Sequence, residues 1–545
     1  MKLTEKQMQV WLDGEKTKAV QGESIETLLI RCGKREACLA VLCAGELLDL
    51  RTPLQEGMRL HLVCRGSEIA RQMQEKTLCF LMVAAVKKLY PQLQVRIEHG
   101  IDNGIYCEFD PKGLSLQQID ALRDEMRWMI AQALPIGRRY VKKEEAVRYF
   151  KELHMEDKAE NIAHRREALC PIDTLDTVDD YFYGHLCLNT ADLENVYVYP
   201  MKQGCWIGFH PDPRQQEKLY QVYDSYERWG KMLSVANVPQ LNQYALHNGI
   251  DELILMSEAK IERELVELAD RIASQQPFRR FVLISGPSSA GKTTFSHRLR
   301  THLRVLGYVP HTIAMDDFFR NRSEYRLLED GTPDFESIDA LDLELLERTI
   351  HGLLEGKEMR MPYFDFQNGV RRWRRETMRI GTNDILIMEG IHGLNPKVVE
   401  GFAVDEVFRI YVNALTHLNL DAHTRIPTSD YRLIRRMVRD YQFRGYSAAQ
   451  TLRAWKHVRE GEDHNIYPYQ EEADVLFNTS MVYEMLILKR IAKGLLEEIK
   501  GEDEIHAEAK RLLSLLQYFD EADSTHIPSH SILAEFVGNS VFFDK

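Results

Sequence analysis

Residues 281–294 read Phe281-Val282-Leu283-Ile284-Ser285-Gly286-Pro287-Ser288-Ser289-Ala290-Gly291-Lys292-Thr293-Thr294. The apolar run Phe281 to Ile284 has the composition of a strand buried on both faces of a parallel sheet. It leads directly into G-x-x-x-x-G-K-T, and Phe295 to Leu303 then carry helical spacing, the context a phosphate-binding loop requires. Glycines at 286 and 291 let the main chain curl so that successive N–H groups aim at phosphate oxygens, and the helix that follows adds the positive end of its dipole. Gly286, Ser288, Ser289, Ala290, Gly291, Lys292, Thr293 and Thr294 are therefore expected to cradle the phosphates of ATP. Lys292 would bridge the β- and γ-phosphates, and the Thr293 hydroxyl would be a ligand of Mg²⁺. A glycine-rich turn without a ligand is the bland alternative, disfavoured by strand, motif and helix occurring in order.

Downstream, Val309 to Ala314 reads as a strand that ends in Met315-Asp316-Asp317-Phe318-Phe319-Arg320. Two carboxylates thus fall at a strand's C-terminal end, where ligands of open α/β sheets gather. Transfer of a phosphoryl group to an alcohol needs a carboxylate that orients the hydroxyl and accepts its proton, and Asp316 is the expected base. Alone, an Asp-Asp pair after a strand would more simply cap a helix or turn. A third strand, Ile385 to Met388, delivers Glu389 to the same edge, where a carboxylate can hold Mg²⁺. Arg432, Arg435, Arg436, Arg439 and Arg444 follow within a helical stretch. Arginines spaced by three and four share a helix face and can converge on phosphate when a lid closes, although a solvated surface is the commoner explanation of such a run. The expected fold class is therefore α/β, with a parallel-sheet domain of the P-loop type and an ATP-dependent phosphotransferase chemistry.

The chain of 545 residues exceeds one hydrophobic core. It is 44% hydrophobic and 28% charged with a mean hydropathy of -0.36, values of folded globular protein. A net charge of -13 argues against bulk nucleic-acid coating. The longest apolar run, Leu78 to Val86, is too short to span a bilayer. The nine cysteines all lie between Cys32 and Cys205 without a C-x-x-C pair, and the N-terminus lacks secretory character, so a reducing cytoplasm is expected.

From about Arg280 to Ser480 the chain resembles the uridine kinase and phosphoribulokinase family of P-loop kinases. The matching segments include Ser285 to Thr294, Met315 to Arg320, Asp334 to Asp342, Met361 to Phe366, Ile387 to Ile391 and Arg435 to Asp440. The resemblance implies Asp316 as base at a sugar 5′-hydroxyl, Glu389 as a Mg²⁺ residue and Arg436, Arg439 and Arg444 as lid arginines. It also implies a substrate site that includes Asp316, Phe335, Glu336, Phe364, Phe366 and Arg436. Glu336 stands where uridine kinases carry an aspartate for the ribose hydroxyls. Phe364 and Gly369 replace the usual base-contacting tyrosine and histidine, which weakens uracil discrimination; Gln367 and Asn368 are the neighbours able to substitute. The run Arg371-Arg372-Trp373-Arg374-Arg375 could stack on a base or contact RNA, but an exposed hairpin tip with solvated arginines is the favoured reading.

Residues 1–65 have a ββαββ pattern that resembles the TGS domain, a β-grasp module. Residues 66–210 resemble the second, editing domain of threonyl-tRNA synthetases. There Lys76 and Phe80 stand in place of an H-x-x-x-H pair, and Cys187 is followed by Ala191 where the family has C-x-x-x-H, so the domain is expected to lack metal ligands. A helical connector (211–275), the kinase-like domain (276–485) and a helical C-terminal tail (486–545) complete the organisation. The expected activity is transfer of the ATP γ-phosphate to the 5′-hydroxyl of a nucleoside, without a membrane partner. The rivals are a kinase of another small alcohol, such as a phosphorylated sugar, and a nucleotide-gated RNA-binding regulator. Nucleic acid is not the favoured partner, and no oligomeric state follows from the sequence.

Overall fold

The computed structural model describes residues 7–246, 249–327, 331, 333–366, 368–403, 405–501 and 503–543. At its centre is a five-stranded sheet in the order Val309–Ala314, Asp384–Gly390, Phe281–Ser285, Val407–Asn413, Val475–Asn478. Every pairing in it is parallel. The middle strand, Phe281–Ser285, is buried along its whole length, as a strand covered on both faces must be. Helix Lys292–Val305 packs one side through Phe295, Leu299 and Leu303, and helix Leu343–Leu354 covers the other through Leu346, Ile350 and Leu353. This arrangement brings the C-terminal ends of three strands, at Ser285, Ala314 and Gly390, to one edge.

Ahead of this sheet lie three others. A five-stranded sheet, with helix Ile25–Arg31, occupies residues 7–64. Strands Gln94–Ile101, Gly104–Asp110, Tyr197–Met201 and Gly204–Gly208 form the second, and Ile136–Lys142, Leu169–Leu175 and Val178–Asp180 the third. The long helix Glu68–Leu89 is buried from Thr77 to Val86 because its apolar run has no polar face in that stretch. Helices Glu217–Met232, Val238–Leu246 and Ile250–Ala273 lead into the central sheet. The last of these is more than a solvated face: its Glu258 is buried and pairs with Arg298 of the helix after the loop at 3.2 Å. Among the described residues no helix is long and apolar enough to cross a membrane.

Candidate active site

The loop after Phe281–Ser285 has the backbone its glycines demand. Gly286 sits against the neighbouring strand so closely that a Cβ would lie 1.9 Å from the Val412 carbonyl oxygen. Ser289 (φ 60°) and Gly291 (φ 77°) take left-handed conformations, and Gly291 caps helix Lys292–Val305. The Lys292 ammonium folds back over the loop, donating to the carbonyls of Gly286 (2.9 Å) and Pro287 (3.0 Å). Burial pushes Lys292 down, and the carboxylates of Glu389, Asp316 and Glu535 oppose that. The same interactions place all these acids within electrostatic reach of one ammonium.

The two members of the Asp-Asp pair have separate duties. Asp317 accepts the Phe364 amide at 3.2 Å and faces Arg374 at 3.6 Å, so it fastens the hairpin Met359–Asp365/Val370–Met378 to the sheet. The Asp316 carboxylate accepts no hydrogen bond among the described residues; burial raises it above the usual carboxylate range, against the pull of Lys292 and Arg444. Glu389, at the end of its strand, accepts from the Thr293 hydroxyl at 3.2 Å. Burial, with Asp316 and Glu535 nearby, raises it to about 7 despite Lys292. Glu336 is likewise raised to about 7 by burial, opposed by Arg436. A hydroxyl beside a carboxylate is a hard-oxygen pair of the kind Mg²⁺ takes, and an under-neutralised Glu389 is what a cation would stabilise, so these residues fit that ion.

The predicted lid residues converge on a group that the sequence reading missed. Asp440 receives Arg436 at 3.3 Å, Arg439 at 2.8 Å and Arg444 at 3.7 Å. Arg436 also donates to the Ser288 hydroxyl at 2.8 Å. Arg432 and Arg435 are not solvated: both are fully buried, in ion pairs with Glu462 and Glu484. Glu462 accepts the Ser288 amide at 3.2 Å, which ties the lid to the loop. Ser288 and Thr294, both expected at phosphate, thus already have protein partners, Thr294 through Glu535.

The predicted aromatic residues belong to a longer file. Phe366 meets Phe364 (5.1 Å), Phe364 meets Phe319 (5.6 Å), Phe319 meets Tyr325 (6.3 Å) and Tyr325 meets Phe335 (5.7 Å). Phe364 is buried, whereas Phe335 and Phe366 are exposed. Phe319 and Tyr325 were legible only as aromatic residues close to Asp316. Gln367 lies outside the described residues; Asn368 bonds Asp365 at the turn. The basic run is a strand, Val370–Met378, and not a tip, with Arg371 bound to Asp342 at 2.7 Å and Arg372 to Asp365 at 3.2 Å.

Residues 281–484 match the model of the "Phosphoribulokinase / Uridine kinase family". A uridine kinase of Halobacterium salinarum is 25% identical over 249 residues, 45% of this chain and 96% of that protein. Over the N-terminal region, the threonine–tRNA ligase of Nitrosococcus oceani is 33% identical over 132 residues, 24% of this chain. The match covers only 20% of that ligase. Among solved structures, phosphoribulokinase from Rhodobacter spheroides is 19% identical with a TM-score of 0.26, covering 36% of this chain and 70% of that one.

Proposed function

We propose that the region around the central sheet is an ATP-dependent kinase that transfers the γ-phosphate to the 5′-hydroxyl of a nucleoside. The observation that carries this reading is the position of Asp316: a half-buried carboxylate without a hydrogen bond, in the field of Lys292 and Arg444, at the end of a strand separated from the loop's own strand by Asp384–Gly390. In this reading Asp316 takes the proton of the attacking hydroxyl, the hydroxyl oxygen bonds to the γ-phosphorus, and the bond to the β-phosphate oxygen breaks to release ADP. Lys292 and the loop amides hold the phosphates, and Arg436, Arg439 and Arg444 leave Asp440 for the charge of the transferring group. Thr293 and Glu389 are the residues to hold Mg²⁺, which when bound supplies neutralisation of the phosphate oxygens.

The surroundings of Asp316 bear on the acceptor class. Glu336 offers an acceptor for sugar hydroxyls, and the file of aromatic faces from Phe335 to Phe366 suits a planar base. Two half-buried carboxylates, Asp316 and Glu336, close to the acceptor repel a phosphorylated sugar, which favours an uncharged nucleoside. Phe364 and Gly369 provide neither phenol nor imidazole, so several bases are expected to serve. The test is ADP release, coupled to a reporter, across ribonucleosides, deoxyribonucleosides and sugar phosphates. Release that depends on ribonucleosides supports the proposal. Release only with a phosphorylated sugar replaces the acceptor, and tight tRNA binding with negligible release replaces the enzyme by a regulator.

A further inference from the structure

A short helical turn from the C-terminal part of the chain lies in the site. Helix Ala534–Val537 presents Glu535, whose carboxylate accepts the Thr294 hydroxyl at 2.7 Å and the Thr294 amide at 3.3 Å. Thr294 is the third residue of helix Lys292–Val305, so its amide is among the N–H groups that a helix cannot satisfy internally and that a phosphate engages in a loop of this kind. The carboxylate is close enough to Lys292 and Glu389 to shift both.

The segment that carries Glu535 is firmly seated. Ile532, Leu533 and Phe536 are buried, and Ile532 fills the space at Gly291 so tightly that a Cβ there would lie 2.6 Å from it. Phe536 rests 5.0 Å from the Arg435 guanidinium, and Phe542 stacks on His297 at 5.2 Å. Gly538 adjoins the lid: a Cβ on it would stand 3.6 Å from Gln442 and 3.8 Å from Phe443. One short stretch thus touches both the helix that begins at the loop and the arginine-bearing segment that has to move.

We propose that the C-terminal segment 531–538 is an intramolecular competitor of the nucleotide, in which Glu535 takes the loop-helix amide and hydroxyl that a phosphate group of the nucleotide would otherwise occupy. The proposal rests on the nucleotide-binding reading of the loop. Carboxylate and phosphate are both anions and want the same donors, so they exclude one another by contact and by charge. Nucleotide entry then requires Glu535 to swing out or the segment to lift, and lifting also releases Gln442 and Phe443. The kinase region would be held in a low-affinity state that a partner able to grip the segment would relieve.

Apolar burial makes deletion of the segment a risk to folding, so the test uses Glu535→Gln and Glu535→Ala in the full chain, with Tm as the folding control. Titration calorimetry with ATP and Mg²⁺ is expected to give about tenfold tighter binding for Glu535→Ala, the fraction of competent state that the contact withholds. Glu535→Gln, which keeps the shape and loses the charge, should fall between wild type and Glu535→Ala. In wild type, saturating ATP is expected to speed amide hydrogen exchange across 531–538. Equal or weaker ATP binding by both folded variants overturns the competitor and leaves nucleotide binding standing. Failure of wild type and variants alike to bind ATP overturns both.

Discussion

Two partly buried constellations in this molecule invite comparison: the one around Asp316 and the one around positions 76, 80, 185 and 187. In the first, Asp316 and Glu336 accept no side-chain hydrogen bond among the described residues, and burial raises both, Glu336 to about 7. In the second, Phe80 meets Phe182 in the core at 5.2 Å with the rings tilted, and the Cys187 amide donates to the Thr77 hydroxyl. His185 is pushed down to about 4 by burial, the state of a neutral packed ring. In the acid trio Glu98, Glu108 and Glu227, Glu108 is held down by Lys112 and Arg96, but burial and Glu227 push Glu98 up to about 7 although Arg96 pairs with it, so the trio is only partly compensated. Charge buried without a partner costs folding free energy and persists where a ligand completes it. Charge with partners, or replaced by a ring, is architecture.

The largest expected effect breaks the comparison if it fails. Asp316→Asn keeps the shape of the side chain and removes the base, so turnover with the best acceptor should fall about 10² to 10⁴-fold while ATP affinity stays within a few-fold. Steady-state kinetics and calorimetry on the same preparation check both halves. Equal turnover in the variant would remove Asp316 from the chemistry. Asp317→Asn gives the contrast: its carboxylate holds the Phe364 amide, so its substitution should act through the hairpin rather than the proton.

A smaller effect concerns pH. Glu389 has a folded-state value near 7, above its ordinary one, so the folded protein holds a proton that the unfolded chain has lost between about pH 4.5 and 7. Stability therefore declines as pH rises through that window, and above pH 7 the penalty is complete. Glu389→Gln should raise Tm relative to wild type at pH 8, show little difference at pH 4, and forfeit phosphoryl transfer. Mg²⁺ with ATP should narrow the gap at pH 8 by stabilising wild type. A variant no more stable than wild type at pH 8 would mean that Glu389 is already neutralised by Lys292 and Thr293.

What the sequence disclosed divides along the same line. The loop and the three strand ends were readable because period, glycine spacing and residue type act locally. Asp440 and Glu462 were not, because their roles depend on which arginines the folded lid turns toward them. Glu535 was the hardest, lying 241 residues from the hydroxyl it binds. A helical tail over 486–545 was the whole of the expectation there, which says nothing of where it docks. Arg432 and Arg435 misled in the opposite direction: helical spacing put them on a solvated or phosphate-facing surface, and the fold buries both against glutamates.

The smallest effect tests the one residue that strains the comparison from the other side. Lys76 has no carboxylate partner among the described residues; its ammonium lies 4.4 Å from the centre of the Tyr183 ring, beside a cavity of about 280 Å³ that also meets His185 and Arg511. Burial pushes it down to about 8, with Arg511 adding to the effect. Between about pH 8 and 10.5 the unfolded chain holds a proton that the folded one releases, so this group's penalty is full at neutral pH and fades as pH rises. If Lys76 is packing alone, Lys76→Met should give a modest rise in Tm at pH 7 that shrinks by pH 10, with kinase turnover within about twofold of wild type. A fall in turnover without a loss of Tm would instead make Lys76 a working charge, and would extend the rule of unpartnered buried charge from the kinase region to the unit that precedes it.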